Sequence, residues 1–427
     1  MKLYYIARTL VTWAFTFYFK KINYAGGENI PKDKPTILSV NHPTGFFEPM
    51  LIGCTFPEHE FSFITRGDFF QKPLVSKVLQ DANMIPIFRF RDGYADMKKN
   101  SDSMLFVNEA LAENKKIMIF SEGTTETIRF LRPLQKGFAR MAFDNYVANG
   151  DLDLQIVPVC LSYSEPHTAR SEVYIKVGEA IPLRGYYEMY AESAPRAVQQ
   201  LTKDTEDAMR PLILQIDDNT RETTADKFFK LYLNTYPEQT YPIYKPSSRR
   251  LEAQQDIAKY INHLSTSAFS GLKQRIENYD EKIKSLNLND TDIATSPRLS
   301  LGFLFTIILG FVPYLLGKYL HIIPLKIGAW MRDNKVKYKE FLGPVYAVTV
   351  LVATVAQYFL LLIIACFVGK AFLFSIVIAL PFLAMFAINY KPRLKQFFGY
   401  FRLRKISEEN KKKLSEERRE LLKEVFR

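Results

Sequence analysis

Cysteine is scarce in this chain. Only Cys54, Cys160 and Cys366 occur among 427 residues. They show no metal-ligand spacing, and Cys366 lies in an apolar run, so neither a disulfide scaffold nor a zinc site is expected. Histidine is also sparse, at five residues: His42, His59, His167, His263 and His321. Any imidazole base must be one of these. Excess charge is missing from most of the chain. The net charge is +12, yet residues 1–317 are balanced. The surplus lies in Lys318–Glu340, at Lys370 and in Lys391–Arg427. No basic face of the kind a nucleic-acid binder needs is available on the neutral part, which excludes a nucleic-acid partner. A Walker-type loop and a dinucleotide fingerprint are absent too. With 34 Phe and 24 Tyr, intrinsic disorder is excluded.

What is present divides the chain into five stretches. Residues 1–24 are aromatic, carry Arg8 mid-segment, and lack the clean apolar core and cleavage site of a secretory signal. They are expected to form an interfacial helix, with Trp13, Phe15, Phe17 and Phe19 facing lipid or a neighbouring helix. Residues 25–190 alternate short apolar runs with amphipathic stretches. The expected strands are Thr36–Val40, Phe61–Thr65, Met84–Phe88, Lys116–Phe120, Gln155–Leu161 and Val173–Val177. The expected helices are Phe46–Cys54, Phe69–Gln80, Asp96–Glu113 and Leu134–Tyr146. This alternation predicts an α/β fold, a mostly parallel sheet flanked by helices. Residues 191–298 read as a helical region, with a loop around Tyr236–Arg250 marked by Pro237, Pro242 and Pro246.

Residues 299–390 form a membrane region. Leu342–Val368 and Ala371–Tyr390 are charge-free runs separated by Gly369 and Lys370. Each is long enough to cross a bilayer, and so short a turn makes them a transmembrane helical hairpin. Basic residues flank both ends, so both ends and the basic tail 391–427 are expected to be cytoplasmic. Leu299–Leu316, interrupted by Pro313, and His321–Met331 read as a re-entrant pair, with a third full span as the rival. The segment Ser407–Arg427 reads as a solvated helix near anionic headgroups.

One histidine has a chemical context. His42 stands in Asn41-His42-Pro43-Thr44-Gly45-Phe46-Phe47-Glu48, between an expected strand and an expected helix. That is the carboxyl end of a strand, where α/β sheets present ligand sites. Glu48 lies in the first helical turn. Folded back, it would hold one ring nitrogen and leave the other as a base for a hydroxyl. Arg89 ends the strand-like run Met84–Phe88 and suits a phosphate. Glu122 and Gly123 close the strand Lys116–Phe120, and Gly123 allows close backbone approach to a ligand. Ile156–Leu161 is a buried strand. His59 is expected in a solvated loop, His167 at the surface, His263 on a polar helix and His321 at the end of an apolar segment. Cys54 and Cys160 are expected as small core residues.

In order, Asn41-His42…Glu48, Ile85-Pro86-Ile87-Phe88-Arg89, Phe120-Ser121-Glu122-Gly123-Thr124 and Val157-Pro158-Val159 resemble the four sequence blocks of the glycerolipid acyltransferase superfamily, the lysophosphatidic-acid acyltransferase type. Thr65-Arg66-Gly67-Asp68-Phe69-Phe70 is similar to the segment between the first two blocks. The resemblance covers residues 25–190. Departures are Glu48 for the usual Asp, a longer spacing from the histidine, Ser121 for a common Pro, and Thr125 where Arg is common.

The resemblance implies acyl transfer from a thioester, acyl-CoA or acyl-carrier protein, to a lysophospholipid hydroxyl. The acceptor implied first is 1-acylglycerol 3-phosphate. Glycerol 3-phosphate, a hydroxylated aminolipid, and a non-catalytic lipid-binding role are the alternatives. His42 would be the base and Glu48 its orienting acid. Asn41, Arg89, Glu122, Gly123 and Thr124 would hold the acceptor, with Arg129 or Arg132 supplying the missing motif charge. Oxyanion donors are expected near Pro43–Gly45. The implied partners are membrane lipids and the acyl donor, and no cofactor or metal is implied.

Overall fold

The structure is a computed structural model that describes residues 3–88 and 100–426, with backbone alone for Asn100. Two compact units divide the chain. The first contains residues 1–215, 243–251 and 339–341, and the second contains the rest.

The first unit is built on a nine-stranded sheet. Its strands are β1 (Lys21–Ala25), β2 (Thr36–Val40), β3 (Phe61–Arg66), β4 (Met84–Ile87), β5 (Lys116–Phe120), β6 (Gln155–Tyr163), β7 (Glu172–Val177), β8 (Ile181–Pro182) and β9 (Tyr244–Pro246). The order is β4-β3-β5-β2-β6-β7-β1-β9, with β8 added on β6. Every pairing is parallel except β6–β7 and β6–β8.

A parallel sheet is covered on both faces, so its central strands are apolar along their length. β2 and β6 are buried at every position. On one face the helices Asn100–Ala112, Gly137–Asn149 and Ala194–Met209 meet Ile37, Ile117 and Ile156 in a core centred on Phe138 and Phe143. Each such ring, fully buried, contributes about 1.5–3 kcal/mol. Elsewhere Phe15, Tyr18 and Phe19 pack their rings on Phe47, which opens the helix Phe47–Thr55.

Helix Leu3–Tyr18 therefore does two things. Phe15 is core, while Ile6, Leu10 and Trp13, spaced on one helical face, are exposed. His59 differs from the expected solvated loop residue. It is 5% exposed, between buried Phe56 and Phe61, and burial pulls its imidazole pKa below the ordinary value.

Three strands have no counterpart in the sequence reading. β1 carries Lys21 and Asn23 buried beside Ile22 and shows no alternation; its place between β7 and β9 makes it a strand. β9 comes from the proline-marked loop and pairs only at Ile22–Tyr24, on the sheet's edge, where Pro246 is tolerated. β8 is two residues long and pairs with β6.

The second unit is helical. The helix Glu408–Val425 is not simply solvated: Leu414, Arg418, Leu421 and Val425 are buried. Arg418 pairs with Asp290 at 2.8 Å, and Lys282 with Glu417 at 2.9 Å. Three helices are long and apolar enough to cross a membrane, by length and composition: Leu301–Leu320, Lys339–Val368 and Ala371–Arg404. They mark a membrane protein. Helix Leu301–Leu320 runs unbroken through Pro313, and Ala371–Arg404 through Pro381 and Pro392. Leu301–Leu320 packs along Ala371–Arg404 through small residues. A Cβ on Gly317 would lie 2.2 Å from the Leu383 carbonyl oxygen. His321 bonds the Gly317 carbonyl and the Tyr358 hydroxyl.

Candidate active site

β2, β5 and β6 run parallel, with Val40 level with both Phe120 and Val159. Their carboxyl ends therefore deliver three loops to one edge of the sheet: Asn41–Phe46, Ser121–Lys136 and the turn after Tyr163.

His42 stands at the centre of this edge. Its ring stacks on Phe120, with centroids 4.0 Å apart and planes inclined 16°. Its Nδ1 lies 3.0 Å from Glu48 Oε2. Glu48 is fully buried. Its Oε1 accepts from the Thr44 amide at 2.9 Å, the Thr44 hydroxyl at 2.6 Å and the Tyr163 hydroxyl at 2.9 Å. A carboxylate with four such contacts is fixed in place and compensated for its burial. It accepts from Nδ1–H, which leaves the lone pair on Nε2. Nε2 makes no hydrogen bond among the described residues. Glu48 thus reaches the ring from a position six residues on.

Burial, with the Glu48 carboxylate beside it, pushes the Tyr163 phenol well above its ordinary pKa, so Tyr163 stays a donor. Cys160, on the same strand, is pushed well up by burial and is no thiolate nucleophile.

Asn41 and Glu122 hold the frame. The Asn41 side chain donates to the Leu161 carbonyl at 3.0 Å and accepts from the Leu161 amide at 2.8 Å, prolonging the β2–β6 ladder by one side chain. Glu122 accepts from the His42 amide at 2.8 Å, the Arg132 amide at 3.0 Å and the Arg132 guanidinium at 3.0 Å. Its carboxylate is 4% exposed. It is an anchor for two loops. Gly123 has φ +74°, and a Cβ there would lie 2.8 Å from Gln135 Cγ. Only glycine suits that turn. The Thr124 hydroxyl and carbonyl both receive the Arg132 guanidinium. Arg129 donates to the Tyr163 and Ser164 carbonyls at 3.0 Å each. Both arginines of this loop are bonded within the protein. Arg89 lies outside the described residues, two positions beyond β4.

The turn Pro43–Gly45, expected to offer oxyanion donors, spends its amides internally. Thr44 N–H goes to Glu48, and Gly45 N–H to the Glu340 carbonyl at 3.0 Å. Phe341 packs against Gly45, where an added Cβ would sit 2.3 Å from its ring. Sequence reasoning missed Thr44, Tyr163 and Phe120 as partners of the pair, and Lys339–Phe341 as its backing. Thr44 and Phe120 lie beside the motif residues. No local signal marks Tyr163 or the tripeptide.

Residues 21–162 match the family model described as Acyltransferase. Glycerol-3-phosphate O-acyltransferase 2 of Saccharomyces cerevisiae is 24% identical over 201 residues, 47% of this chain and 26% of that protein. Glycerol-3-phosphate O-acyltransferase 1 of the same yeast is 25% identical over 190 residues, 43% and 24% of the two chains. Among solved structures, the 1-acyl-sn-glycerophosphate (LPA) acyltransferase PlsC from Thermotoga maritima is 19% identical, covering 48% of this chain and 83% of that one, with a TM-score of 0.34. The chain spans about a quarter of the length of these yeast relatives. Its α/β unit contains the domain of an acyltransferase. The matched segment, residues 21–162, is similar to the glycerolipid acyltransferases named above.

Proposed function

We propose that this protein transfers an acyl group from a thioester, acyl-CoA or acyl-carrier protein, to the free hydroxyl of 1-acylglycerol 3-phosphate at a membrane surface, giving phosphatidate. The observation that carries the reading is the His42 Nδ1–Glu48 contact at 3.0 Å, on the carboxyl edge of a parallel sheet. His42 Nε2 would take the hydroxyl proton as that oxygen attacks the thioester carbonyl. The C–S bond then breaks, and the thiolate leaves with the proton from the imidazolium. Glu48 would keep the tautomer and stabilise the imidazolium. A positioned base of this kind contributes about 10²–10⁴-fold. Asn41, Glu122, Gly123 and Thr124 would hold the loops to which the acceptor docks. Arg89, with Arg129, whose bonds go to neutral carbonyls, would supply positive charge for its phosphate.

Membrane attachment fits a lipid acceptor. The exposed Ile6–Leu10–Trp13 stripe would lie in the interface, and Leu342–Val368, at about 40 Å, is longer than a bilayer core. The basic flanks favour both hairpin ends, and the catalytic unit, on the cytoplasmic face. A second acceptor, glycerol 3-phosphate, is favoured by the names of the yeast relatives.

The test is acyl transfer by the purified full chain, with radiolabelled acyl-CoA or acyl-carrier protein and each acceptor, beside His42→Ala. Product from 1-acylglycerol 3-phosphate that vanishes in the variant supports the reading. Product from glycerol 3-phosphate alone moves the acceptor. Transfer that survives His42→Ala removes the base, and no transfer from a folded protein removes the activity.

A further inference from the structure

The second unit holds a charged cleft whose lining includes none of the residues around His42. It opens between the segment Ser296–Arg298, the end of the helix Ala371–Arg404 and the start of the helix Glu408–Val425, with a volume of about 630 Å³. Four cations line it: Arg298, Arg404, Lys411 and Lys412. Glu408 is the one acid in the lining, and it is taken by Lys411 at 2.6 Å. Lys412 stands 3.9 Å from Glu416, too far for a hydrogen bond. Arg298 and Arg404 have no carboxylate partner among the described residues. A neighbouring cleft shares Ile293 and Ser415 with the first and adds Arg419 and Lys423, likewise without an ion-pair partner among the described residues. Cations in excess of their counter-charges repel one another, so an anion arriving there is favoured.

The apolar surroundings specify the kind of anion. Tyr400 and Leu403 line the same cleft. Leu301, three residues after Arg298, is 87% exposed and opens an apolar helix whose Phe305 and Ile308 are exposed as well. Phe401 is exposed beside Tyr400. Cations thus meet an uncovered apolar surface where a bilayer-length helix begins. A free phosphate would use only the first feature. A phospholipid would use both, placing its phosphate among the cations and its chains along the apolar helix.

We propose that this cleft binds the phosphate of an anionic phospholipid, at a site separate from the His42 centre. The shared chemistry with inorganic phosphate is the phosphate oxygens, which the guanidinium groups of Arg298 and Arg404 bind as a fork. Each cation lost weakens attraction to an anionic lipid roughly fivefold.

The experiment uses the full chain in neutral detergent micelles. Equilibrium binding of labelled dioctanoyl phosphatidylglycerol is measured, with dioctanoyl phosphatidylcholine and inorganic phosphate as competitors. The variant is Arg298→Ala/Arg404→Ala/Lys412→Ala. Its control removes the same charge outside the cleft, Lys259→Ala/Lys273→Ala/Lys284→Ala. The expectation is selective phosphatidylglycerol binding, weakened at least tenfold by the cleft variant, hardly changed by the control, and reduced by salt. Far-UV circular dichroism and the thermal unfolding midpoint should be unchanged in both, which shows that both fold. Arg298→Lys, which keeps the charge and loses the fork, should bind between the parent and Arg298→Ala. Equal loss in the control would show diffuse charge and overturn the site. Undiminished binding in the cleft variant would do the same. Inorganic phosphate competing on equal terms, or an acidic acyl-carrier protein binding the cleft in place of the lipid, would overturn the lipid assignment.

Discussion

Replacing Glu48 by Gln tests the centre with little change in shape. The Gln carbonyl can still accept from the Thr44 amide, the Thr44 hydroxyl and the Tyr163 hydroxyl, which now meet Oε1. Its NH₂ then occupies the place of Oε2 and faces His42 Nδ1 at 3.0 Å. Two N–H donors cannot share that contact. The imidazole turns to the other tautomer, with its proton on Nε2 and its lone pair spent on the amide. The base at Nε2 is gone, although the ring is still held. A positioned base is worth about 10²–10⁴ in rate, or about 3–5.5 kcal/mol of barrier. Glu48→Gln should therefore lower kcat by that factor, leave KM within a few-fold and leave thermal unfolding close to the parent. Glu48→Asp is shorter by a methylene. It can serve either the ring or the Thr44–Tyr163 pair, and it should fall between parent and Gln. The assay is initial-rate acyl transfer at saturating thioester. A Gln variant with parental kcat would refute the reasoning, because no orienting carboxylate would then be needed.

Three further perturbations follow from the same geometry. Asn41→Leu leaves the Leu161 amide and carbonyl unpaired in a buried place. A loss of about 2–5 kcal/mol in unfolding free energy is expected; an unchanged denaturation midpoint would show that water or a neighbour replaces the amide. Gly45→Val drives side-chain atoms into the Phe341 ring. Transfer should drop at least tenfold, with partial recovery in Gly45→Val/Phe341→Ala, and failure of the second change to restore anything would reject the packing account. The last concerns pH. Burial alone would raise the Glu172 carboxyl, but Lys20 and Arg250 bring it below the ordinary value. A carboxyl depressed in the folded state stabilises the fold above its unfolded value, about 4.3, and that contribution fades as pH falls through the folded value. Arg250→Met should destabilise by about 3–5 kcal/mol and move acid unfolding to higher pH, followed by circular dichroism. An unmoved acid midpoint would count against the pairing.

Local pattern in the sequence determined the class of the elements. The charge-free runs dictate apolar helices, since only a helix satisfies its own backbone in lipid. Apolar runs alternating with amphipathic ones dictate a sheet with helices on it. The Asn41–Glu48 turn dictates that a histidine and an acid stand at one strand end. These are short-range statements, carried by residues a few positions apart.

Tertiary structure decided who touches whom. Tyr163 completes the Glu48 cluster from 115 residues away, and Asn41 closes on Leu161 across 120. Both follow from β2 lying beside β6 with one register, which no periodicity within either strand encodes. Lys21 and Asn23 became strand residues because β7 and β9 flank them. Lys339–Phe341, at the head of an apolar helix, joined the catalytic unit and took the Gly45 amide. Arg129 and Arg132 read as spare charges but proved bonded once the loop folded back on Tyr163 and Glu122. Hydrogen-bond partners are set by the order in which strands assemble, so they belong to the fold and not to any local stretch of sequence.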